Sequence, residues 1–439
     1  MGSRIQDLTF KYKALGHIVG IYTRRAFRKF QIEGIGNIPN DGCMLWASNH
    51  TNALMDPLVI LKLPEKVKVF VARADIFHSK PFIVRILTFL KIMPIYRMRD
   101  GIDSVKRNDE IISRAADVLA DGVPLTIFPE ATHRAMHSLL RLSKGVFHIA
   151  FAVNDKMQGR KPVYIVPIGI DYGDYFRFRS TALVRFGKPI DVSAFLRDNP
   201  DMPQPVQMQR LRDILTQSLS ELISYVPDDD DYAAIWEYAK LKAGNKEYFR
   251  KALTECENKA GRKLNGLEQL QSVDKYAISE ALAMKDNEPD KAAELFKKID
   301  TLRLWRIRNG ISVKSIAGNT SWTKTLLKMM VLLVGLPYYL FTAIVCAIVW
   351  IPTLIIIRKV DDDAFHNTAR FGARILLSWI YVLTFGIIFF KTIPLLPAII
   401  LTVLLFPAFN YFTDYRESAR RTLSDFRWLL KRKKAPRIQ

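Results

Sequence analysis

Cysteine is scarce in this sequence, with only Cys43, Cys256 and Cys346 among 439 residues. The three lie far apart and form no CxxC pair, which argues against a disulfide framework and against a cluster of thiolate metal ligands. We therefore expect three reduced thiols, most of them buried, in a protein that faces a reducing compartment.

Acidic residues are also few, with 43 Asp and Glu against 65 Lys and Arg and a formal net charge of +22. The hydrophobic fraction of 49% excludes a disordered chain, and the length allows two or three domains. Strong basicity together with high apolar content favours an anionic membrane surface or anionic substrates as partners. Nucleic acid is the alternative, although no known binding module is visible.

The unbroken apolar core of a signal peptide is missing from residues 1–30. Large residues recur there at close to helical spacing, and most Lys and Arg side chains lie off that stripe. The stripe consists of Leu8, Tyr12, Leu15, Val19, Tyr22 and Phe30. The pattern predicts an amphipathic helix that lies in a lipid interface, and an ordinary surface helix docked on the domain core is the alternative.

Residues 31–226 alternate between strand-like and helix-like segments, which predicts an α/β domain with a central sheet. Residues 227–322 are charged, rich in helix-forming residues and free of strand signals, which predicts a helical subdomain. The expected strands cover residues 43–47, 67–71, 123–128, 164–170 and 183–186, and the expected helices cover 81–90, 103–121 and 205–225.

Two long apolar blocks lie within residues 323–412. The first, residues 326–357, has Lys328 as its one charged side chain. As a single helix it would be roughly 48 Å long against a hydrocarbon core of ~30 Å, and Pro337 offers a break. The second block contains Lys391 and Pro394. We predict about four transmembrane spans in two hairpins, with two long kinked or re-entrant segments as the alternative.

Charge around these blocks predicts their orientation. Residues 413–439 carry nine Lys and Arg against three Asp and Glu, and basic ends remain on the cytoplasmic side. We therefore expect an integral membrane protein of the cell inner membrane or the endoplasmic reticulum, with the α/β domain and a basic tail on the cytoplasmic face. Arg374 and Lys391 lie near predicted span ends, where we expect them to snorkel or to orient the helices.

The stretch "WASNHTNALMDPLVI" places Asn49, His50 and Asp56 at the end of an apolar run. A neutral imidazole can take a proton from a hydroxyl group at physiological pH. A carboxylate beside it can hold the other ring nitrogen and fix the tautomer. The pair by itself also fits a surface histidine followed by a helix cap.

Four more blocks follow in chain order: "PIYRMRDG", "IFPEATHR", "LSKGVFHIAF" and "IVPIGIDYG". Over about residues 30–195 the chain therefore resembles the glycerolphosphate acyltransferase superfamily. It is most similar to membrane-bound glycerol-3-phosphate or dihydroxyacetone-phosphate acyltransferases with extra C-terminal spans. The resemblance implies an α/β domain with a central mixed sheet flanked by helices, here joined to a helical insertion and C-terminal transmembrane helices.

The resemblance also implies residue roles. His50 would activate the acceptor hydroxyl and Asp56 would support it, although five residues separate them where the family usually has four. Arg97 would hold the acceptor phosphate, with Arg99 as a close alternative, because a guanidinium group gives two hydrogen bonds to a phosphate.

The third block departs from the family pattern at two positions. Glu130 is retained and is expected to hydrogen-bond acceptor hydroxyls or to order the site. The family's glycine is Ala131, which excludes the more extreme backbone conformations. The family's arginine is His133, a weaker phosphate ligand for which Arg134 is a neighbouring substitute. The remaining expected substrate-binding residues are Asn49, Thr132, Lys144 and Pro167, the last in the block that lines the acyl donor site.

The resemblance implies direct acyl transfer from acyl-CoA or acyl-carrier protein to a hydroxyl of glycerol-3-phosphate or lysophosphatidate. No Ser or Cys stands in a nucleophile-elbow context, and no cofactor beyond the acyl donor is expected. The expected partners are the bilayer, the donor and a phosphorylated glycerol acceptor, without nucleic acid. Alternatives are a different lyso-lipid acceptor, an inactive lipid-binding scaffold, and zinc at His133 and His137, for which a third ligand is missing.

Overall fold

The computed structural model describes residues 4–63, 67–78, 81–95 and 103–437. These residues form two compact units, which are described separately. The first unit contains residues up to Arg24 together with Phe30–Tyr175 and Ala182–Ile223. The second contains the short segments Arg25–Lys29 and Phe176–Thr181 and everything from Ser224 onward.

The first unit contains alternating strands and helices. In chain order they are α1 (Phe10–Ala26), β1 (Lys29–Glu33), β2 (Cys43–Ser48), α2 (Met55–Ile60), β3 (Val69–Arg73), α3 (Pro81–Phe89), β4 (Ile92–Ile95), α4 (Asp103–Ala120), β5 (Leu125–Ile127), α5 (Gly145–Met157), β6 (Val163–Tyr172), β7 (Thr181–Phe186), β8 (Ile190–Asp191), α6 (Val192–Asp198) and α7 (Gln204–Leu222).

The strands form one mixed sheet in the order β1-β7-β6-β2-β5-β3-β4, with β8 paired to β6. Strand β2 runs parallel to β5 and β6, and β3 runs parallel to β5 and β4. Strands β7 and β8 are antiparallel to β6. The predicted central mixed sheet is therefore confirmed, and each predicted strand is present. The sequence analysis missed β1, β4 and β8, which have five, four and two residues.

The core of this unit lies between the sheet and its helices. Every residue of β2 is buried, as expected for a parallel strand covered on both faces. Apolar side chains of α4, α5 and α7, such as Leu119, Phe147 and Leu215, belong to the same core cluster as the strand residues. Burial of these side chains fixes β2 and therefore the position of the residues that follow it.

Helix α1 is shorter than the predicted 1–30 segment. The rings of Tyr12 and Phe89 meet edge to face at 6.3 Å, and Tyr12 and Tyr22 are both buried. One side of α1 therefore packs on the first unit, while Phe10 and Ile21 on other sides are exposed. That α1 lies in a lipid interface stays a prediction.

The second unit is helical. Its helices are α8 (Tyr232–Gly244), α9 (Lys246–Ala260), α10 (Leu267–Asn287), α11 (Pro289–Arg308), α12 (Val313–Ala317), α13 (Trp322–Val345), α14 (Ala347–Ile357), α15 (Ala364–Thr392) and α16 (Leu395–Lys431). Buried residues of α8, α10 and α11, among them Ile235, Ala277 and Phe296, form one core. The predicted segments 227–322, 323–412 and 413–439 all fall in this one unit, and α16 continues through most of the predicted tail.

Among the residues that the structure describes, three helices, all in the second unit, are long and apolar enough to cross a membrane, and α14 is a shorter apolar helix. The prediction of a break near Pro337 is wrong, because α13 continues through this proline and ends at Val345. Two tyrosines of α16 bind this part of α13. The Tyr411 and Tyr415 hydroxyls donate to the carbonyl oxygens of Gly335 and Leu332, at 2.9 and 2.8 Å. These bonds attach α16 to the turn before the proline. The number of passes stays a prediction.

Of the two expectations for Arg374, snorkelling is wrong, because the residue is buried between helices. Its side chain is only 3% exposed, and Nη2 donates to Oδ1 of Asn410 at 2.6 Å. The guanidinium carbon also lies 4.7 Å from the ring centroid of Phe409. Arg374 is therefore part of the packing between α15 and α16, where a buried charge requires such partners.

Candidate active site

The predicted catalytic block lies at the carboxyl end of the central parallel strands. Ala47 of β2 lies opposite Ile127 of β5 and Pro167 of β6. His50 and Glu130 each follow their strand by a few residues and so emerge at the same edge of the sheet. Ligands of open α/β sheets bind at this edge.

Asn49 extends the sheet beyond the last residue of β2. Its Nδ2 donates to the carbonyl oxygen of Ile170 at 2.9 Å, and its Oδ1 accepts from the Ile170 N–H at 2.7 Å. The side-chain amide thus replaces a backbone peptide group in the pairing with β6. Because Asn49 is 1% exposed, it acts on the position of its neighbour His50 rather than on a substrate.

His50 and Asp56 form the predicted pair. His50 Nδ1 lies 2.7 Å from Asp56 Oδ2, and this oxygen also accepts from the backbone N–H groups of Thr51 and Asn52 at 2.7 and 2.8 Å. Ala53, at φ 41°, turns the chain into α2, whose first turn carries Asp56. The carboxylate is fully buried, whereas the imidazole is 17% exposed. The geometry therefore fixes Nδ1 and leaves Nε2 for proton exchange.

Tyr172, the last residue of β6, contacts the second oxygen of the same carboxylate. Its hydroxyl donates to Asp56 Oδ1 at 2.7 Å. Burial, and then the charge of Asp56, raise the pKa of Tyr172 well above its ordinary value. The sequence analysis missed this residue. The one signal was that it ends a long buried strand beside β2.

Glu130 connects two loops through its carboxylate. Oε1 accepts from the His50 N–H and Oε2 accepts from the Leu140 N–H, each at 2.8 Å. Burial raises the pKa of Glu130 to about 7 despite these bonds, which lower it. Of the two roles expected for Glu130, these contacts favour ordering the site, because both oxygens already bind backbone groups.

Of the two substituted positions after Glu130, the second, His133, contacts His50. Ala131 adopts a left-handed conformation with φ 59°, so alanine does not exclude the backbone conformation that this turn requires. The His133 ring meets the His50 ring nearly edge on, with centroids 5.5 Å apart. Phe128 stacks on His50 at 4.4 Å. These two rings limit the orientations that the imidazole can adopt.

Arg134 is also beside His50. Its backbone N–H donates to the His50 carbonyl oxygen at 3.1 Å, and its Nη2 donates to Ser138 Oγ at 2.8 Å. The guanidinium group is thus held toward Ser138. Its proposed role as a phosphate ligand stays a prediction.

The other predicted substrate-binding residues lie at varied positions. Thr132 and Lys144 are exposed, and Lys144 immediately precedes α5. Pro167 is buried in β6. Arg97 and Arg99, the predicted phosphate ligands, lie outside the described residues. The structure therefore brings together Asn49, His50, Asp56, Glu130 and His133 and leaves the acceptor-phosphate site undefined.

The zinc alternative gains no support from His137. Its Nδ1 lies 3.4 Å from Oδ1 of Asp171, and the two side chains are 6% and 9% exposed. In the described part of the chain, no group of three or more His, Cys, Asp or Glu side chains is arranged to hold a metal ion. An imidazole–carboxylate pair accounts for His137.

The chain was also compared with known proteins. Residues 29–171, roughly a third of the sequence, match the family model Acyltransferase. No curated protein matches the chain significantly. One similar solved structure is the crystal structure of the 1-acyl-sn-glycerophosphate (LPA) acyltransferase, PlsC, from Thermotoga maritima. It has 19% sequence identity and a TM-score of 0.33, over 48% of this chain and 81% of that chain. The family match contains His50, Asp56 and Glu130.

Proposed function

We propose, from the acyltransferase-family domain at residues 29–171, that this protein moves a fatty acyl group from a thioester donor to a hydroxyl group of a phosphorylated glycerol acceptor. The observation that carries the proposal is the 2.7 Å contact between His50 Nδ1 and Asp56 Oδ2 at the carboxyl end of the sheet. This contact orients the imidazole for general base catalysis.

The reaction would proceed by direct attack. His50 Nε2 takes the proton of the acceptor hydroxyl, and the oxygen forms a bond to the thioester carbonyl carbon. Asp56 stabilises the imidazolium ion that forms. When the tetrahedral intermediate collapses, the carbon–sulfur bond breaks and the leaving thiolate takes the proton from His50. Transfer therefore needs no acyl-enzyme and returns the imidazole to its neutral state.

The substrates fit the chemistry of the chain. Acyl-CoA and acyl-carrier protein are anionic donors, and glycerol-3-phosphate and lysophosphatidate are anionic acceptors, which suits a net charge of +22. Arg97 or Arg99 would hold the acceptor phosphate. The three long apolar helices would keep the enzyme at the bilayer, with its catalytic domain on the cytoplasmic face, where a lipid product can enter the membrane directly.

The test is a transfer assay in membranes that contain the protein, with labelled acyl-CoA or acyl-carrier protein. The acceptors are glycerol-3-phosphate, lysophosphatidate and other lyso-lipids. We expect one labelled phosphorylated product and a loss of about 10²–10⁴-fold in the His50→Ala variant. His17→Ala, at an exposed histidine of α1, is the matched control and should retain wild-type rates.

Two results would contradict the proposal. Equal rates for wild type and His50→Ala would exclude His50 as the base. Binding of labelled lipid without transfer to any acceptor would favour the inactive scaffold instead. Transfer only to an unphosphorylated lyso-lipid would retain the acyltransferase but exclude the proposed acceptor class.

A further inference from the structure

The carboxylate of Asp56 is bound on both of its oxygens. Oδ2 accepts from His50 Nδ1 and from two backbone N–H groups. On Oδ1, the one donor among the described residues is the Tyr172 hydroxyl, at 2.7 Å. Asp56 is fully buried and Tyr172 is 2% exposed, so water does not compete for this bond. The plane of the carboxylate is therefore fixed from the side opposite His50.

We propose that Tyr172 is a positioning residue that acts on His50 through Asp56. This inference rests on the proposed function. Tyr172 holds Oδ2 in line with Nδ1, and its hydrogen bond withdraws negative charge from the carboxylate. A carboxylate with less charge stabilises the protonated imidazole less. Tyr172 thereby limits how strongly Asp56 supports the protonated imidazole of His50 during acyl transfer.

The hydroxyl group can serve only as a donor in this contact, because an ionised carboxylate only accepts hydrogen bonds. Burial and the nearby charge of Asp56 keep the pKa of Tyr172 well above its ordinary value. Tyr172 therefore stays protonated through the range in which an imidazole titrates. Its effect on Asp56 is constant with pH and is removed only by changing the residue.

Other titratable groups face this pair and remain the same when Tyr172 is changed. Glu130 binds the His50 backbone N–H, and the His133 ring lies 5.5 Å from the His50 ring. Tyr175 lies 5.9 Å from Tyr172, ring to ring. On the far side of Tyr175 is His137, with ring centroids 5.0 Å apart. The pKa of Glu130 is about 7, so Glu130 titrates in the same pH range as the imidazole in every variant. The effect of the Tyr172 hydroxyl is therefore read as the difference between the Tyr172 proteins and the wild type.

The test is the pH profile of kcat/KM for Tyr172→Phe and for protein that carries 3-fluorotyrosine at position 172. Removing the Tyr172 hydroxyl should move the acidic limb of the kcat/KM profile to higher pH by about half a unit to one unit. The reason is that the carboxylate of Asp56 then keeps more of its negative charge and stabilises the protonated imidazole more. The fluorinated phenol is a stronger donor and should move the limb the other way. We also expect kcat of Tyr172→Phe to fall about 10-fold or more, with little change in KM for the acceptor.

Tyr164→Phe is the matched control. Tyr164 belongs to the same strand β6, eight residues before Tyr172, where it lies opposite Met44 of β2 and Asp191 of β8. This change should leave both the limb and kcat at wild-type values. If Tyr172 has only a structural role, Tyr172→Phe would lower thermal stability. The acidic limb would then not shift in opposite directions in Tyr172→Phe and in the 3-fluorotyrosine protein.

A second measurement separates this inference from the proposed function. Diethyl pyrocarbonate reacts with neutral imidazole, so its reaction with His50, followed by peptide mass spectrometry, gives a pH midpoint without any acyl transfer. If the protein shows no transfer activity but the midpoint still moves when Tyr172 is changed, the proposed function is wrong and the role of Tyr172 is supported. An unmoved midpoint in folded Tyr172→Phe protein would overturn the role of Tyr172, whatever the activity.

Discussion

The side-chain amide of Asn49 pairs with the backbone of Ile170 through two hydrogen bonds, at 2.9 and 2.7 Å. The two residues are 121 positions apart in the chain. This contact joins the end of β2 to β6 after the regular pairing of the strands has ended. It therefore determines where the chain turns away from the sheet and, as a result, where the side chain of His50 is placed.

Replacing Asn49 by alanine should lower both stability and activity. The change leaves the N–H and carbonyl of Ile170 buried without these partners, which costs about 1–3 kcal/mol. It also removes the two hydrogen bonds that hold position 49, and with it the neighbouring His50, against β6. We therefore expect kcat to fall up to about 100-fold. Chemical denaturation and the transfer assay measure the two effects.

Asn37→Ala is the control for this change. Asn37 Nδ2 also donates to a backbone carbonyl, that of Phe186 at 2.8 Å, but at a partly buried site outside the His50 block. Asn37→Ala should therefore lower the free energy of unfolding less than Asn49→Ala does, and it should leave kcat unchanged. Wild-type kcat in Asn49→Ala would show that the pairing with Ile170 does not position His50.

Glu130 should make the protein less stable as the pH rises from about 4.5 to 7. Burial raises its pKa from the ordinary 4.5 to about 7, so in this window the folded state binds more protons than the unfolded state. Stability must then fall with rising pH, by on the order of 3 kcal/mol over the whole window. Denaturation midpoints measured at several pH values give the slope.

Glu130→Gln provides the comparison for that slope. The variant is expected to be less stable than the wild type at low pH, because its NH₂ group faces a backbone N–H that needs an acceptor. The variant has no carboxyl group to titrate at this position. Its stability should therefore decrease less than that of the wild type between pH 4.5 and 7. Parallel curves for the two proteins would contradict a raised pKa at Glu130.

Local sequence patterns were sufficient for much of the fold. Buried apolar runs predicted β2 and β6, because a strand covered on both faces needs nothing but apolar side chains. The pairing of His50 with Asp56 was expected from the family resemblance, because their spacing alone also fits a surface histidine followed by a helix cap; in the structure α2 brings Asp56 back to His50. Short edge strands such as β8 give no such pattern, and they were missed.

Contacts between distant parts of the chain left no sequence signal. Tyr172 lies 116 residues from Asp56, and no periodicity connects them. The sequence likewise gave no sign that residues 25–29 and 176–181 belong to the second unit. There, Arg179 Nη2 lies 2.6 Å from Asp414 Oδ2, 235 residues away. The tyrosine hydroxyls that bind carbonyls of α13 close to Pro337 likewise belong to a distant helix, α16.

Ala131→Gly should stabilise the protein. Ala131 has φ 59°, a left-handed conformation that costs a residue with a Cβ atom about 1–2 kcal/mol. Glycine removes this cost but gains freedom in the unfolded chain, so we expect a net gain of about 0.5–1 kcal/mol. Ala14→Gly in the exposed part of α1 is the control of opposite sign and should lose up to about 1 kcal/mol. Destabilisation by both changes would mean that the turn at Ala131 is not strained.

Gly335→Ala should destabilise the second unit, because the added methyl group would overlap the Tyr411 hydroxyl that binds the Gly335 carbonyl. Overpacking of this kind costs about 1–3 kcal/mol. Gly372→Ala in α15 is the matched control, since its methyl group would meet nothing within 4 Å. We expect that change to be neutral or slightly stabilising in a thermal denaturation of detergent-purified protein.

The double variant Gly335→Ala with Tyr411→Phe tests the stated cause. Without the hydroxyl, the nearest atom to the new methyl group is a ring carbon of Tyr415 at 3.3 Å, a tight contact that a small shift can relieve. The double variant should therefore lose less stability than the sum of the two single changes. Strict additivity would mean that the Tyr411 hydroxyl does not cause the overlap.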